Sequence, residues 1–152
     1  EVLGMPPEEC YCTLLFYAAH ADGRWLCGHI GDGYIFRIRQ DTAVVFSAPE
    51  NGHAINETYF LSEPSAAQHL RIRSGELHEP YAVLLTSDGG GDTLFDRQQQ
   101  QPAHAVERLC DWLTENDEKT VTEALQHVIK EKMIPATEDD VSVAILYCGE
   151  DE

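Results

Sequence analysis

The order of the strand and helix patterns along the chain constrains its fold more than any other feature. Four apolar or alternating segments come first, a polar connection follows, two further strand patterns come next, and amphipathic helices appear only before a last strand. Because strands and helices do not alternate, the sequence predicts an antiparallel α+β fold and disfavours a doubly wound nucleotide-binding fold. The predicted strands span residues 12–19, 24–30, 34–39, 42–47, 69–73, 81–87 and 141–147, and the predicted helices span residues 103–115 and 120–132.

Local signals refine this order. The pair Asp22-Gly23 between two apolar runs predicts a hairpin, and a second hairpin around residues 31–33 would make the first four strands an antiparallel meander. The polar connection, residues 49–68, is expected to hold a short strand near residues 58–61. Thr120, with Glu123 three residues later, is expected to cap the last helix.

Length, net charge and cysteine content indicate what class of protein this is. The 152 residues suit one domain, residues 1–152, and no apolar run is long enough for a membrane helix. A net charge of −17 argues against nucleic acid or anionic membrane as the main partner, since both require clustered Lys and Arg. Five cysteines without regular spacing indicate reduced, mostly buried thiols in a cytoplasmic protein.

Aspartates stand where the predicted strands end. Asp32 follows one strand, Asp88 and Asp92 follow the apolar run of LLTSDGGGD, and Asp139 precedes the last strand. An ionised carboxylate at the end of an apolar run is costly unless a positive partner meets it. Mg²⁺ and Mn²⁺ prefer oxygen ligands, and a pair of such ions can activate water and neutralise a phosphate. These residues are therefore candidate metal ligands.

Other interpretations of the same residues stay open. An aspartate before glycine is common in turns, and one at the start of a helix is a frequent cap, so the spacing alone does not decide between these roles and metal binding. If residues 89–96 are helical, Asp88 and Asp92 lie one turn apart. Ser87 lacks a G-x-S-x-G context and is not expected to be a nucleophile. His29 is either a packed core residue or a general acid or ligand.

Three segments in order resemble elements of the metal-dependent serine/threonine phosphatases of the 2C type, the PPM superfamily. They are GHIGDGYIF, LLTSDGGGD and EDDVSVAIL, and the stretch NETYFLSEP is similar to a divergent bacterial branch. The resemblance covers residues 12–147. It implies an antiparallel β-sandwich flanked by helices and the hydrolysis of phosphoserine or phosphothreonine esters by a metal-activated water. It also implies Mg²⁺ or Mn²⁺ as cofactor, as two or three ions, and a phosphorylated protein and a cognate serine/threonine kinase as partners.

The same resemblance assigns roles to five residues by position. Asp88 and Asp139 match the aspartates that ligate the catalytic metal pair. Asp32 and Asp92 match positions that help to hold a more labile third metal. Gly89 matches the glycine beside the metal-binding aspartate.

The chain also departs from the family pattern. We find no earlier acidic element that would supply the metal-bridging aspartate, no upstream phosphate-binding arginine, and no pair of helices to cover one sheet. Gly33 replaces the serine of GDS, and Asp140 stands where the family has asparagine.

These departures produce two expectations. The first is that this is the C-terminal portion of a phosphatase domain, inactive or nearly so by itself, with one helical layer missing. A gene-level sequence with further N-terminal residues would test it. The apolar sheet face left uncovered would then allow self-association. The alternative is a catalytically inactive binding or regulatory domain of the same family.

Overall fold

The computed structural model describes residue 6 and residues 10–50 and 58–149. Contacts divide the chain into two compact units, Glu1–Asp32 with Pro49–Leu77, and Gly33–Ala48 with His78–Glu152. Each unit carries its own antiparallel sheet, in strand order β1-β2-β5 and β4-β3-β6-β9 respectively. The predicted α+β class with antiparallel sheets is confirmed.

The predicted elements occur in the predicted order with shifted boundaries, and the short elements α1, β7 and β8 were not predicted. The strands are β1 (Leu14–Ala19), β2 (Arg24–Ile30), β3 (Tyr34–Arg39), β4 (Thr42–Ser47), β5 (Arg71–Glu76), β6 (Tyr81–Thr86), β7 (Phe95–Asp96), β8 (Gln101–Pro102) and β9 (Val143–Cys148). The α-helices are α1 (Ala66–His69), α2 (Asp88–Leu94), α3 (His104–Glu115) and α4 (Glu118–Val128). A π-helical turn (Ile129–Met133) and a 3₁₀ turn (Ile134–Ala136) continue α4.

The first unit is built on the predicted hairpin. β1 pairs with β2 across the Asp22-Gly23 turn, where Gly23 has a φ of 89°, and β5 pairs with the other edge of β2. The four-residue α1 is the only α-helix among the described residues of this unit. One face of its sheet carries Leu26 and Ile72, which are 43% and 53% exposed.

The second unit holds the main core. α2 and α3 pack on one face of the four-stranded sheet and α4 packs against α3. α3 contributes Val106, Leu109 and Cys110 at the i, i+3, i+4 spacing of an amphipathic helix. Phe36 and Leu84, which are fully buried, come from the two central strands. The buried cluster consists of Phe36, Ile38, Ala82, Leu84, Leu94, Val106, Leu109, Cys110 and Met133.

Two predictions about the strands are wrong. β2 does not pair with β3, because the segment after Ile30 leaves the first sheet and β3 pairs with β4 and β6 instead. The connection between these strands passes through Gly31, which has a φ of 115° and lies so close to Thr13 that a Cβ there would overlap it. The predicted strand near residues 58–61 is reduced to one bridge residue, Thr58; residues 51–57 of the polar connection lie outside the described residues.

The predicted cap of the last helix is also wrong. α4 begins at Glu118, and its N-cap is Asp117, whose carboxylate accepts hydrogen bonds from the Thr120 amide at 3.0 Å and the Thr120 hydroxyl at 2.8 Å. Asp117 is thus the capping residue, and Thr120 donates the hydrogen bonds to it. After α4 the helix first widens into the π-helical turn and then tightens into the 3₁₀ turn, which ends before Thr137.

The cysteines are all free thiols, as expected, but only Cys27 and Cys110 are buried. Cys10 and Cys12 are exposed and Cys148 is half-buried, so the expectation of mostly buried thiols was wrong. In the part of the chain that the structure describes, no helix is long and apolar enough to cross a membrane.

Candidate active site

The junction between β6 and α2 places two of the predicted site residues. β6 ends at Thr86, Ser87 has an extended backbone, and Asp88 is the first residue of α2. Asp88 is half-buried, and its Oδ1 accepts the Gly89 amide at 2.9 Å. The helix confirms that Asp88 and Asp92 lie one turn apart.

The glycines after Asp88 allow α2 to lie directly against its neighbours. A Cβ at Gly89 would stand 2.7 Å from the Asp140 carbonyl oxygen and 3.0 Å from that of Asp139. A Cβ at Gly91 would stand 2.6 Å from the Tyr34 ring. Since Cβ atoms do not approach other atoms so closely in proteins, the glycines are required by contact with chain segments distant in sequence.

Hydrogen bonds hold the Asp88 and Asp139 segments together. The Ser87 hydroxyl donates to the Asp140 carbonyl at 2.8 Å and accepts the Ser142 amide at 3.0 Å. Thr86, 2% exposed, donates its hydroxyl to the Ser142 carbonyl at 2.9 Å. Ser87, set aside above as a nucleophile, therefore joins the end of β6 to the segment before β9.

Asp92 is linked to Asp139 through Thr137. The Thr137 hydroxyl donates to Asp92 Oδ2 at 2.9 Å and accepts the Asp139 amide at 3.2 Å. The other oxygen of Asp92, Oδ1, pairs with Arg97 Nη2 at 2.6 Å. The Arg97 side chain is 73% exposed, so the pair is open to solvent. Both oxygens of Asp92 are thus held by protein donors.

Sequence reasoning identified neither Arg97 nor Thr137. Thr137 stands two residues before Asp139, the spacing at which a hydroxyl caps a following amide, and that was an available signal. Arg97 follows Asp92 after the end of α2 and carried no comparable signal.

Asp32 lies in the first unit, directly after the turn at Gly31. Its Oδ2 accepts the Thr58 hydroxyl at 2.7 Å. The Glu50 amide bonds to the Gly31 carbonyl at 3.4 Å. The Asp32 turn is therefore held by the connection that follows β4.

His29 is a buried residue at the end of β2. It is 1% exposed, and Arg71 Nη2 donates to its Nδ1 at 2.8 Å. Burial, and then the nearby charges of Arg71 and Arg73, lower the pKa of His29 to about 4, against a backbone hydrogen bond with Gly31 that raises it. His29 is therefore neutral at pH 7, and its surroundings favour the packed-core interpretation over a general acid.

The side chains of Asp88 and Asp139 are of the kind that a hard divalent ion prefers as ligands. Asp88 and Asp139 are carboxylates on adjoining segments, and Mg²⁺ commonly takes one or two protein carboxylates and keeps several waters. Asp139 Oδ1 accepts the Asp140 amide at 3.0 Å. Among the described residues, no three acidic, histidine or cysteine side chains are gathered closely enough to hold an ion by themselves.

Comparisons with solved structures show what fold this arrangement belongs to. The phosphatase domain of SpoIIE from Bacillus subtilis matches with 18% identity and a TM-score of 0.54, over 99% of this chain and 63% of that one. PppA, described as a key regulatory component of T6SS in Pseudomonas aeruginosa, matches with 18% identity and a TM-score of 0.57, over 90% and 57%. The catalytic domain of the serine/threonine phosphatase PstP, known from Mycobacterium tuberculosis and solved with two manganese ions, matches with 17% identity and a TM-score of 0.56, over 89% and 56%.

The chain therefore spans less than two thirds of the length of these structures. No curated protein sequence matches it. A family model, described as Protein phosphatase 2C, matches residues 2–130. That match covers most of the sequence and includes the Asp32 and Asp88 motifs, and the fold agrees with it. The chain belongs to the protein phosphatase 2C family.

Proposed function

We propose that this chain is part of a metal-dependent phosphatase that acts on phosphoserine and phosphothreonine in proteins. The supporting observation is the direct contact of Gly89 with the Asp139–Asp140 backbone, which brings two carboxylate-bearing segments to one place in the second unit. A turn or cap role explains each aspartate singly, but it does not require the two segments to meet.

In this proposal Asp88 and Asp139 hold the catalytic ions, Mg²⁺ or Mn²⁺, and Asp92 contributes to a further ion. Gly89 supplies the close backbone approach between the two ligand segments. The bound ions would activate a water molecule and neutralise charge on the phosphate. The hydrogen bonds of Ser87 to Asp140 and Ser142 hold the two segments that carry the ligands in position.

The partners follow from the reaction. The substrate would be a phosphorylated protein, supplied by a cognate serine/threonine kinase in the cytoplasm of a bacterium. The exposed sheet face with Leu26 and Ile72 would support self-association. Because no metal-bridging aspartate is recognisable in the sequence, we expect the isolated chain to bind metal weakly and to turn over little or no substrate.

Metal binding by the isolated chain tests the proposal directly. Mn²⁺ titration by calorimetry should give saturable binding that Asp88→Asn weakens by about tenfold or more, since it removes one ligand oxygen charge. Glu115→Gln, an exposed acid at the end of α3, removes the same charge away from the site and should leave binding unchanged. Equal Mn²⁺ binding by the two variants would refute the assignment of Asp88.

Activity is tested on the product of the complete gene. It should release phosphate from a phosphothreonine peptide in the presence of Mn²⁺, and the Asp88→Asn variant should lose that release.

The second candidate function is an inactive binding or regulatory domain. Two observations favour it. Among the described residues, no three histidine, cysteine or acidic side chains lie close enough together to bind a metal ion. In addition, Arg97 forms an ion pair with Asp92, whose carboxylate would otherwise be available to an ion. If the complete gene product binds Mn²⁺ and phosphopeptide but releases no phosphate, this second function replaces the first.

A further inference from the structure

A concave surface lies at the other end of β6 from Asp88. It is an open cavity of about 490 Å³ between the β3–β4 turn, the start of β6, the second half of α3 and the end of β9. This volume lies within the range of ligand sites in proteins, ~300–1,000 Å³. Tyr81 lines the cavity and Asp88 lies seven residues later, so the strand separates the two places by roughly 20 Å at ~3.3 Å per residue.

The floor of the cavity is apolar. Ile38 and Ala82, which are paired across β3 and β6, line it and are 6% and 4% exposed. Tyr147 also lines it but is 41% exposed, so much of its ring faces solvent. Gly149 packs against that ring, since a Cβ there would overlap it. The tyrosine is thus supported from the adjacent backbone and offers an aromatic surface to a ligand.

The rim of the cavity is acidic. Asp41, Glu79 and Asp111 line it, and no lysine, arginine or histidine among the described residues does. Glu79 is paired with Arg39 at 2.7 Å, whereas Asp41 and Asp111 have no ion pair with any residue that the structure describes. Asp41 sits in the two-residue β3–β4 turn, where its φ is 57° and the register of β3 with β4 closes the turn tightly. With a net charge of −17, the chain also attracts cations at longer range.

We propose that this cavity binds an arginine side chain of a partner polypeptide. A guanidinium can stack on the Tyr147 ring while it pairs with a carboxylate such as Asp111, a combination that a compact ammonium reproduces less well. The aliphatic stem would cover the apolar floor of Ile38 and Ala82. The same acidic rim repels phosphates and carboxylates, so this site selects cations directly. It does not depend on the candidate metal site at Asp88 and Asp139.

The test is a titration of the isotope-labelled chain, followed by amide NMR shifts. The probe is the blocked tripeptide acetyl-Gly-Arg-Gly-amide, and its comparison is the same tripeptide with citrulline, which keeps the shape and removes the charge. We expect saturable shifts around Tyr81, Asp111 and Tyr147 with the arginine peptide, at millimolar affinity, and at least fivefold weaker binding of the citrulline peptide. The arginine affinity should fall as salt is raised, because the attraction is screened.

Matched variants locate the site. Asp111→Asn and Tyr147→Leu should each weaken binding of the arginine peptide about threefold or more, whereas Glu115→Gln, one turn further along α3 and outside the cavity, should leave it unchanged. Equal binding of the arginine and citrulline peptides, shifts that map elsewhere, or equal effects of Asp111→Asn and Glu115→Gln would overturn the proposal. Tighter binding of free arginine than of the blocked peptide would also overturn it, since the ligand would then be a free amino acid. None of these outcomes bears on metal binding at Asp88.

Discussion

His29 makes the stability of the protein depend on pH in a way that one substitution can isolate. The side chain is buried and accepts a hydrogen bond from Arg71, and its pKa is lowered from 6.5 to about 4, first by burial and then by the charge of Arg71. The folded state therefore favours neutral imidazole. The contribution of His29 to the free energy of unfolding is fully present above pH 6.5, where its imidazole is neutral in the unfolded chain as well. This contribution is lost as the pH falls from 6.5 through about 4.

The shift sets the size of the effect. A difference of about 2.5 pKa units corresponds to roughly 3 kcal/mol of unfolding free energy at ~1.4 kcal/mol per unit, of which roughly 2 kcal/mol is lost by pH 5. The perturbation is His29→Gln, since a glutamine oxygen can accept the Arg71 hydrogen bond but does not titrate. We expect the wild type to lose about 2 kcal/mol more than the variant between pH 8 and pH 5.

Urea unfolding followed by circular dichroism at both pH values measures this difference. For each protein, the change in unfolding free energy between pH 8 and pH 5 is measured, so a pH-independent effect of the substitution on stability cancels. The carboxylates that titrate in this range are the same in the wild type and in His29→Gln. If the wild type and His29→Gln lose the same free energy on acidification, His29 is not held neutral by burial and Arg71, and the reasoning fails.

Two further predictions concern the second unit. Gly89→Ala should lower the free energy of unfolding by about 1–3 kcal/mol, because the new Cβ would meet backbone oxygens of Asp139 and Asp140 that cannot rotate away; an unchanged urea midpoint would show that the segments adjust freely. The thiol of Cys110, whose pKa burial raises to about 12, should react with a disulfide reagent at pH 8 roughly a thousandfold more slowly than the exposed Cys10 and Cys12. Mass-spectrometric mapping of labelled thiols checks this, and labelling of Cys110 at the rate of Cys10 in the folded protein would contradict it.

Local patterns in the sequence determined the kinds of element and much of the candidate site. Alternation and apolar runs located the strands, amphipathic spacing located α3, and Asp22-Gly23 located the hairpin of the first sheet. The order of these elements was enough for the α+β class. The motif around Asp88 led to the family, because its residue types and spacing are local properties of the chain.

Only the tertiary structure decided how the strands are shared between sheets and how the site segments meet. The alternation of β2 and β3 is compatible with a hairpin between them, and their assignment to different sheets depends on pairings with β5 and β6, which lie far along the chain. The same holds for Gly89, whose lack of a side chain is explained by the Asp139–Asp140 backbone, and for Asp92, whose partners are Arg97 and Thr137. Periodicity in the sequence indicates which face of a helix or strand is apolar, but it does not indicate which distant segment covers that face. Those contacts are visible only in the tertiary structure.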